Sequence, residues 1–206
     1  MVYVPPSFVL DEDAAWGVVR DAGAGALVIS GSSGLMSVFV PVVVSEDRRT
    51  MRSHLARANP WWREVKTGTE ILGLFLSASA YVSPSYYPSR LEQPGVVPTW
   101  NYVAAEVHGR VKLLDDPEWK AAQVRSVTGQ FEAGRDPQWR VDDAPSDYIE
   151  RQLNAIVGIE IDVVSIEAKA KLSQNRPGID ANSVREHLAG GTLGEQNVAS
   201  RMKPND

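Results

Sequence analysis

The stretch from Asn101 to Leu113 alternates apolar and polar residues with a period of two, and this pattern excludes most architectures. Val103, Ala105, Val107, Val111 and Leu113 fall on one side; Glu106, His108, Arg110 and Lys112 fall on the other. A helix repeats every 3.6 residues and cannot keep two such faces apart, whereas a strand with one face buried does so automatically. Strands of parallel sheets are covered on both faces and read as continuous apolar runs, so this alternation predicts an antiparallel sheet. A second stretch narrows the choice. Ile159, Ile161 and Val163 are apolar on odd positions, and from Val164 onward Ile166, Ala168, Ala170 and Leu172 are apolar on even ones. Such a phase flip at Val163–Val164 is the mark of a β-bulge, which barrels use to bend a strand.

The remaining elements follow from local signals. Asp11 caps a helix to Ala22, with acids in its first turn and Gly23 to stop it. Ala26–Ser30 and Leu35–Val44 read as strands joined by Gly31-Ser-Ser-Gly34, and Thr50–Ala56 as a third strand. Asn59-Pro60 starts a helix over Trp61–Lys66, and Glu70–Leu76 is a strand with both faces apolar. Pro84, Pro88, Pro94, Gly95 and Pro98 make Ser83–Pro98 a long loop, because proline cannot donate a ladder hydrogen bond. Helices are predicted from Pro117 to Ala133, from Pro145 to about Ala155 and from Asp180 to Ala189, with a frayed tail over Gly190–Asp206. Strands are not separated by regular helices, which disfavours a parallel βαβ sheet. The expected fold is therefore α+β: an antiparallel barrel flanked by helices, forming a single domain over residues 1–189.

Composition closes off several function classes. The chain has 206 residues and no cysteine, which excludes disulfides, thiolate zinc sites and a cysteine nucleophile and fits a reducing cytoplasm. No leader pattern and no run of about 18 apolar residues is present, so a soluble location without a membrane span is expected. His54, His108 and His187 lie far apart, so no metal site is predicted. Nucleophile-elbow and phosphate-loop motifs are missing, and Gly23-Ala-Gly25 precedes a strand, the wrong context for a dinucleotide fingerprint. Net charge is −5, which argues against direct duplex DNA binding. Two basic stretches nevertheless stand out, Arg48–Lys66 and Lys169–Arg176, either as sites for a small anion or as solvated loop charge.

Three segments carry compositions that packing alone does not demand. In Ser53–Asn59, Arg57 and the start of the following helix could hold a phosphate by charge and dipole together; the plainer reading is a capped helix with a surface arginine. Ala80–Pro88 and Val97–Tyr102 combine aromatic faces with hydroxyl and amide groups, which suits a flat heteroaromatic ligand or, equally, a barrel core with edge tyrosines. Ala168–Arg176 projects Lys169, Lys171 and Ser173 from one face, a donor set for an anion or flavin edge or simply a solvated strand end.

Taken in order, seven segments resemble the PaiB family of FMN-binding negative transcriptional regulators. They are Tyr3-Val-Pro-Pro6, His54-Leu-Ala-Arg-Ala-Asn-Pro60, Tyr81-Val-Ser-Pro-Ser-Tyr-Tyr87, Val97-Pro-Thr-Trp-Asn-Tyr102, Asp143-Ala-Pro-Ser-Asp-Tyr148, Ile156-Val-Gly-Ile-Glu160 and Lys171-Leu-Ser-Gln-Asn-Arg176. The resemblance implies a split β-barrel homodimer with FMN in a cleft at the subunit interface, and a role in negative regulation of transcription. Carried onto this sequence, it implies cofactor contacts from His54, Arg57, Asn59, Ser83, Tyr86, Thr99, Trp100, Asn101, Lys171, Ser173, Gln174, Asn175 and Arg176. Two positions depart from the family pattern: Phe39 stands where a histidine is usual, and Ser77-Ala-Ser-Ala-Tyr81 where Gly-Pro-His-Ala-Tyr is usual. The alternative function is a flavin-dependent oxidoreductase for a small (hetero)aromatic substrate, and Phe39 and Ser79 suggest a third reading, a cofactor-free structural homologue.

Overall fold

The computed structural model describes all residues except Val2, Gln93, Asn205 and Asp206. Its strands are β1 (Ala24–Gly31), β2 (Gly34–Pro41), β3 (Val43–Val44), β4 (Thr50–Ala56), β5 (Thr69–Val82), β6 (Thr99–Leu114) and β7 (Ile156–Lys171). The helices are α1 (Glu12–Ala22), α2 (Pro117–Glu132), α3 (Ser146–Asn154), α4 (Gly178–Ala189) and α5 (Leu193–Ala199). The strands form one seven-stranded sheet in the order β2-β1-β5-β6-β7-β4-β3. β1 pairs antiparallel with β2 and β5, β3 with β4, and β4 with β7. The class is α+β, as the alternation predicts.

The chain divides into two compact units. The first comprises Met1–Ala22, Phe75–Glu106 and Glu167–Asp206; the second comprises Gly23–Leu74 and Val107–Ile166. In the second unit Leu27, Ile29, Met51, Leu55, Trp61, Ile71, Val111, Val157, Ile159 and Ile161 form the core. There the Ser53 hydroxyl, itself buried, donates to the Pro41 carbonyl at 2.6 Å and ties β4 to the end of β2, bringing strands from opposite flanks of the sheet together as a barrel requires. Helix α2 lies on the β7 strand at Gly158, where any Cβ would meet the Trp119 ring at 2.2 Å. Only glycine permits that approach. The first unit packs Trp16, Val19, Phe75, Val82, Tyr87, Val184 and Leu188. Burying side chains of this size contributes about 1.5–3 kcal/mol each.

Three strands, β5, β6 and β7, run from one unit into the other, and two of them change parity on the way. In β7 the buried residues are odd-numbered at Val157, Ile159 and Ile161 and even-numbered at Ala168 and Ala170, as the sequence pattern predicts. β5 does the same, from Ile71 and Phe75 to Ala78, Ala80 and Val82. β6 keeps odd residues inward throughout.

Several local expectations change. β5 continues six residues beyond Leu76, because Ser77-Ala-Ser-Ala lacks the branched residues that advertise a strand and its parity has switched. The Leu35–Val44 strand is broken at Val42, whose N–H turns to the Gly23 carbonyl. Pro60–Glu64 is a 3-10 helix, with the Asn59 side chain accepting from the Trp61 N–H as a cap. The Pro-rich loop holds 3-10 turns at Pro84–Tyr86 and Pro88–Leu91; Gln93 lies outside the described residues. In place of a frayed tail after Gly190, Thr192 and Glu195 form a capping box that starts α5, and Val198, Ala199 and Met202 are buried. Asn205 and Asp206 of the expected tail lie outside the described residues.

Candidate functional site

The residues expected to touch a cofactor divide between the units. Ser83, Tyr86, Thr99, Trp100, Asn101, Lys171, Ser173, Gln174, Asn175 and Arg176 belong to the first; His54, Arg57 and Asn59 belong to the second.

In the first unit, the end of β7 and the turn that follows grip the start of β6. The Lys171 ammonium donates to the Thr99 hydroxyl and, at 2.8 Å, to the Trp100 carbonyl. The Ser173 hydroxyl and the Asn101 amide are bonded to each other at 3.0 and 3.2 Å, both residues buried. Ser173 has φ of 64°, a left-handed backbone that L-residues rarely adopt, and its buried bonds to Asn101 help hold it there. Consecutive strand residues point to opposite faces, and here Trp100 is 55% exposed while Asn101 is fully buried. The Trp100 ring meets Tyr81 edge to face, with centroids 6.1 Å apart, and Tyr81 is also exposed. Together they offer a surface aromatic pair. Tyr81 was not among the residues expected at the site, because the parity switch in β5 that turns it outward is invisible in a short Ser/Ala run.

The cations of this unit have unusual partners. The Arg176 guanidinium lies 4.6 Å from the centre of the buried Tyr87 ring, and Lys169 lies over Phe8 and Tyr102 at 5.8 and 5.6 Å. Among the described residues, no carboxylate forms an ion pair with Lys169, Lys171 or Arg176. Burial first, then the neighbouring charges of Lys169 and Arg176, push the Lys171 ammonium below the usual lysine range. The positive charges of Lys169 and Arg176 thus bear on Lys171, which has no carboxylate ion pair among the described residues.

Three of the other expected residues of this unit have partners within it. Gln174 donates to the Ala170 and Ser7 carbonyls at 2.6 and 3.0 Å and accepts from the Leu172 N–H. Ser83 accepts from the Ser85 N–H as a turn cap. Tyr86 stacks on His187 of α4 at 4.5 Å. Asn175 is exposed in the turn.

The second unit treats its arginine differently. Arg57 donates through both terminal nitrogens to Asp115 and also reaches the Asn154 and Ile156 carbonyls at 2.9 and 3.0 Å. The buried Lys120 joins Asp115 from α2 at 2.9 Å. Hydrogen bonds from Arg57, then from Lys120, hold the Asp115 carboxyl down to about 2. His54 sits on β4 opposite Gly158; its Nδ1 is buried with no hydrogen-bond partner among the described residues, and burial lowers its proton affinity. The Arg57 donors that the sequence offers for a phosphate here are engaged by a carboxylate and by main-chain carbonyls.

A family model described as "Putative FMN-binding domain" matches residues 2–165. Among curated proteins, the protease synthase and sporulation protein PAI 2 of Bacillus subtilis is 31% identical over 190 residues, covering 91% of this chain and 89% of that protein. Among solved structures, an FAD- and heme-binding protein of Mycobacterium smegmatis aligns with a TM-score of 0.60 at 13% identity, over 89% of this chain and 80% of that one. A flavocytochrome of Azotobacter vinelandii aligns with a TM-score of 0.58 at 11% identity, over 78% of this chain and 67% of that one. At such identities these two structures speak for the fold alone.

Proposed function

From the premise that the chain belongs to the FMN-binding-domain family, as its match over residues 2–165 and its relative PAI 2 show, we propose that it binds FMN with the flavin phosphate at Lys169, Lys171 and Arg176. The observation that carries this reading is the group of three cations that, among the described residues, form no ion pair with a carboxylate, beside an exposed aromatic pair. A phosphate monoester, close to a dianion at neutral pH, relieves the repulsion that Lys171 experiences and receives charge-assisted hydrogen bonds. The Trp100–Tyr81 pair offers an isoalloxazine ring a stacking surface. FMN would supply the redox chemistry if there is any; these side chains bind and orient it. Arg57 then serves as the strut of the Asp115 ion pair.

The cleft is completed by a second copy of the chain. Support comes from apolar side chains left uncovered: Leu76, Tyr81 and Trp100 in the first unit, and Leu35, Phe39, Leu74 and Val164 in the second. Phe39 is 73% exposed on β2, so the position where the family pattern has histidine presents an apolar ring to whatever covers it.

The biological reading is regulatory, in keeping with the relative named for protease synthesis and sporulation. With net charge −5, regulation acts through a metabolite or protein partner in preference to duplex DNA. The absorbance spectrum of the purified chain, titrated with FMN, tests the central reading. A flavin band perturbed in saturable fashion is expected; free-flavin spectra at every protein concentration would refute it. Light scattering of the same sample tests the dimer.

A further inference from the structure

Three consecutive residues at the start of β6 are each held by the end of β7 or by the C-terminal segment. Thr99 and Trp100 are held through the Lys171 ammonium. Asn101 is held by Ser173 and, through its Nδ2 at 3.8 Å, by the Met202 sulfur. Trp100 is the only one of the three that is exposed, and its ring is the one that meets Tyr81. An ammonium has three N–H donors, and two of those on Lys171 are committed to β6. The same ammonium is one of three cations that form no ion pair with a carboxylate among the described residues.

We infer that Lys171 couples the two parts of the site: a phosphate group engaging its ammonium changes the hold on Thr99 and Trp100, so that free phosphate, without any flavin ring, is itself a ligand that alters the aromatic surface. This rests on the flavin reading only for its biological setting; the contacts belong to the chain alone. An anion facing Lys171 competes for donors that now restrain β6, and a bidentate approach requires at least one of those bonds to lengthen. The indole is the nearest exposed group attached to the restrained backbone, so the consequence is read there. Lys171 is a positioning residue toward Trp100 as well as a contact to the anion. Phosphate from FMN and phosphate free in solution share this chemistry, and only the first brings a ring with it.

The test uses the full chain labelled with 5-fluorotryptophan, the Trp100 resonance being identified by its loss in Trp100→Phe. Inorganic phosphate is titrated at constant ionic strength, followed by FMN and by riboflavin. A saturable shift of the Trp100 resonance with phosphate is expected, and it is lost in Lys171→Gln but kept in Arg125→Gln, which removes a surface charge elsewhere. Thr99→Val keeps the positive charge and removes one restraint on it. It should bind phosphate at least as tightly as the parent while the Trp100 shift shrinks, a split that a purely structural role would not produce. The absence of a saturable shift in the parent, its survival in Lys171→Gln, or an undiminished shift in Thr99→Val would overturn the coupling. If Lys171→Gln does not fold, Thr99→Val decides alone. FMN that binds while phosphate leaves Trp100 unmoved refutes the coupling and spares the flavin reading. Phosphate that shifts Trp100 while FMN fails to bind supports the coupling and refutes the flavin reading.

Discussion

In the second unit the Arg57 guanidinium meets Asp115, Lys120 joins the same carboxylate, and two main-chain carbonyls complete the arrangement. In the first unit Lys169, Lys171 and Arg176 meet aromatic faces, a hydroxyl and a carbonyl instead. Both regions are basic stretches in an acidic chain, and both contain residues that the PaiB resemblance assigns to the cofactor. Their electrostatic states differ because one forms ion pairs with a carboxylate and the other, among the described residues, does not. A charge that is already neutralised adds little to the binding of an incoming anion, whereas an unrelieved cluster gains from it.

The largest expected effect separates the two regions. Lys171→Met should weaken FMN roughly 10- to 150-fold, the range for loss of a charged hydrogen-bonding contact of about 1.5–3 kcal/mol. Arg57→Met should leave FMN affinity within about threefold of the parent, since its donors serve Asp115. Isothermal titration of both variants checks this. A smaller loss is expected from Trp100→Ala, about 3- to 10-fold, from an aromatic contact worth about 0.5–1.5 kcal/mol beyond its buried area. Flavin fluorescence should then show less quenching.

The pH dependence sharpens the same contrast. A bound anion raises the proton affinity of Lys171, so the Lys171 contribution to binding is full below its pKa in the free chain and is lost as pH rises from that value through the higher pKa in the complex. Burial and the two neighbouring cations lower that pKa, so FMN affinity should decline on the alkaline side sooner than an ordinary lysine predicts. A second decline is expected below about pH 6, where the phosphate takes up a proton. Binding measured across pH in the parent and in Lys171→Met should show the alkaline limb only in the parent. The smallest effect lies in the other region. Asp115 is held at about 2 against an ordinary 3.8, so its contribution to stability is present above that ordinary value and disappears as pH falls through the window between them. Asp115 is more than half exposed, so screening limits this to below about 1 kcal/mol. Arg57→Met should flatten that acid limb of the denaturation profile.

The sequence revealed the strands better than the site. Period two in Asn101–Leu113 and the parity flip near Val163 were readable because a strand writes its burial directly into residue polarity, and both reappear in β6 and β7. The flip in β5 escaped notice because serine and alanine carry no polarity contrast. At the site, residue type identified the donors but could not say which were taken. Asp115 lies 58 residues from Arg57 in the chain, so nothing local announces that their charges cancel. Strand alternation places Trp100 on one face of β6 and Thr99 and Asn101 on the other, but residue type could not say that the indole is the exposed side and the amide the buried one. Helix α5 was missed because its polar cap and short length read as tail, although Thr192 and Glu195 stand at capping-box spacing.

On the proposed reading the open cation cluster, and not the closed one, receives the flavin phosphate. The most direct measurement is the FMN dissociation constant of the parent, Lys171→Met and Arg57→Met in one buffer at neutral pH, with riboflavin as the ligand lacking phosphate. Lys171→Met is expected to lower FMN affinity toward that of riboflavin while Arg57→Met tracks the parent. An Arg57→Met protein that loses FMN while Lys171→Met binds like the parent would contradict that reading.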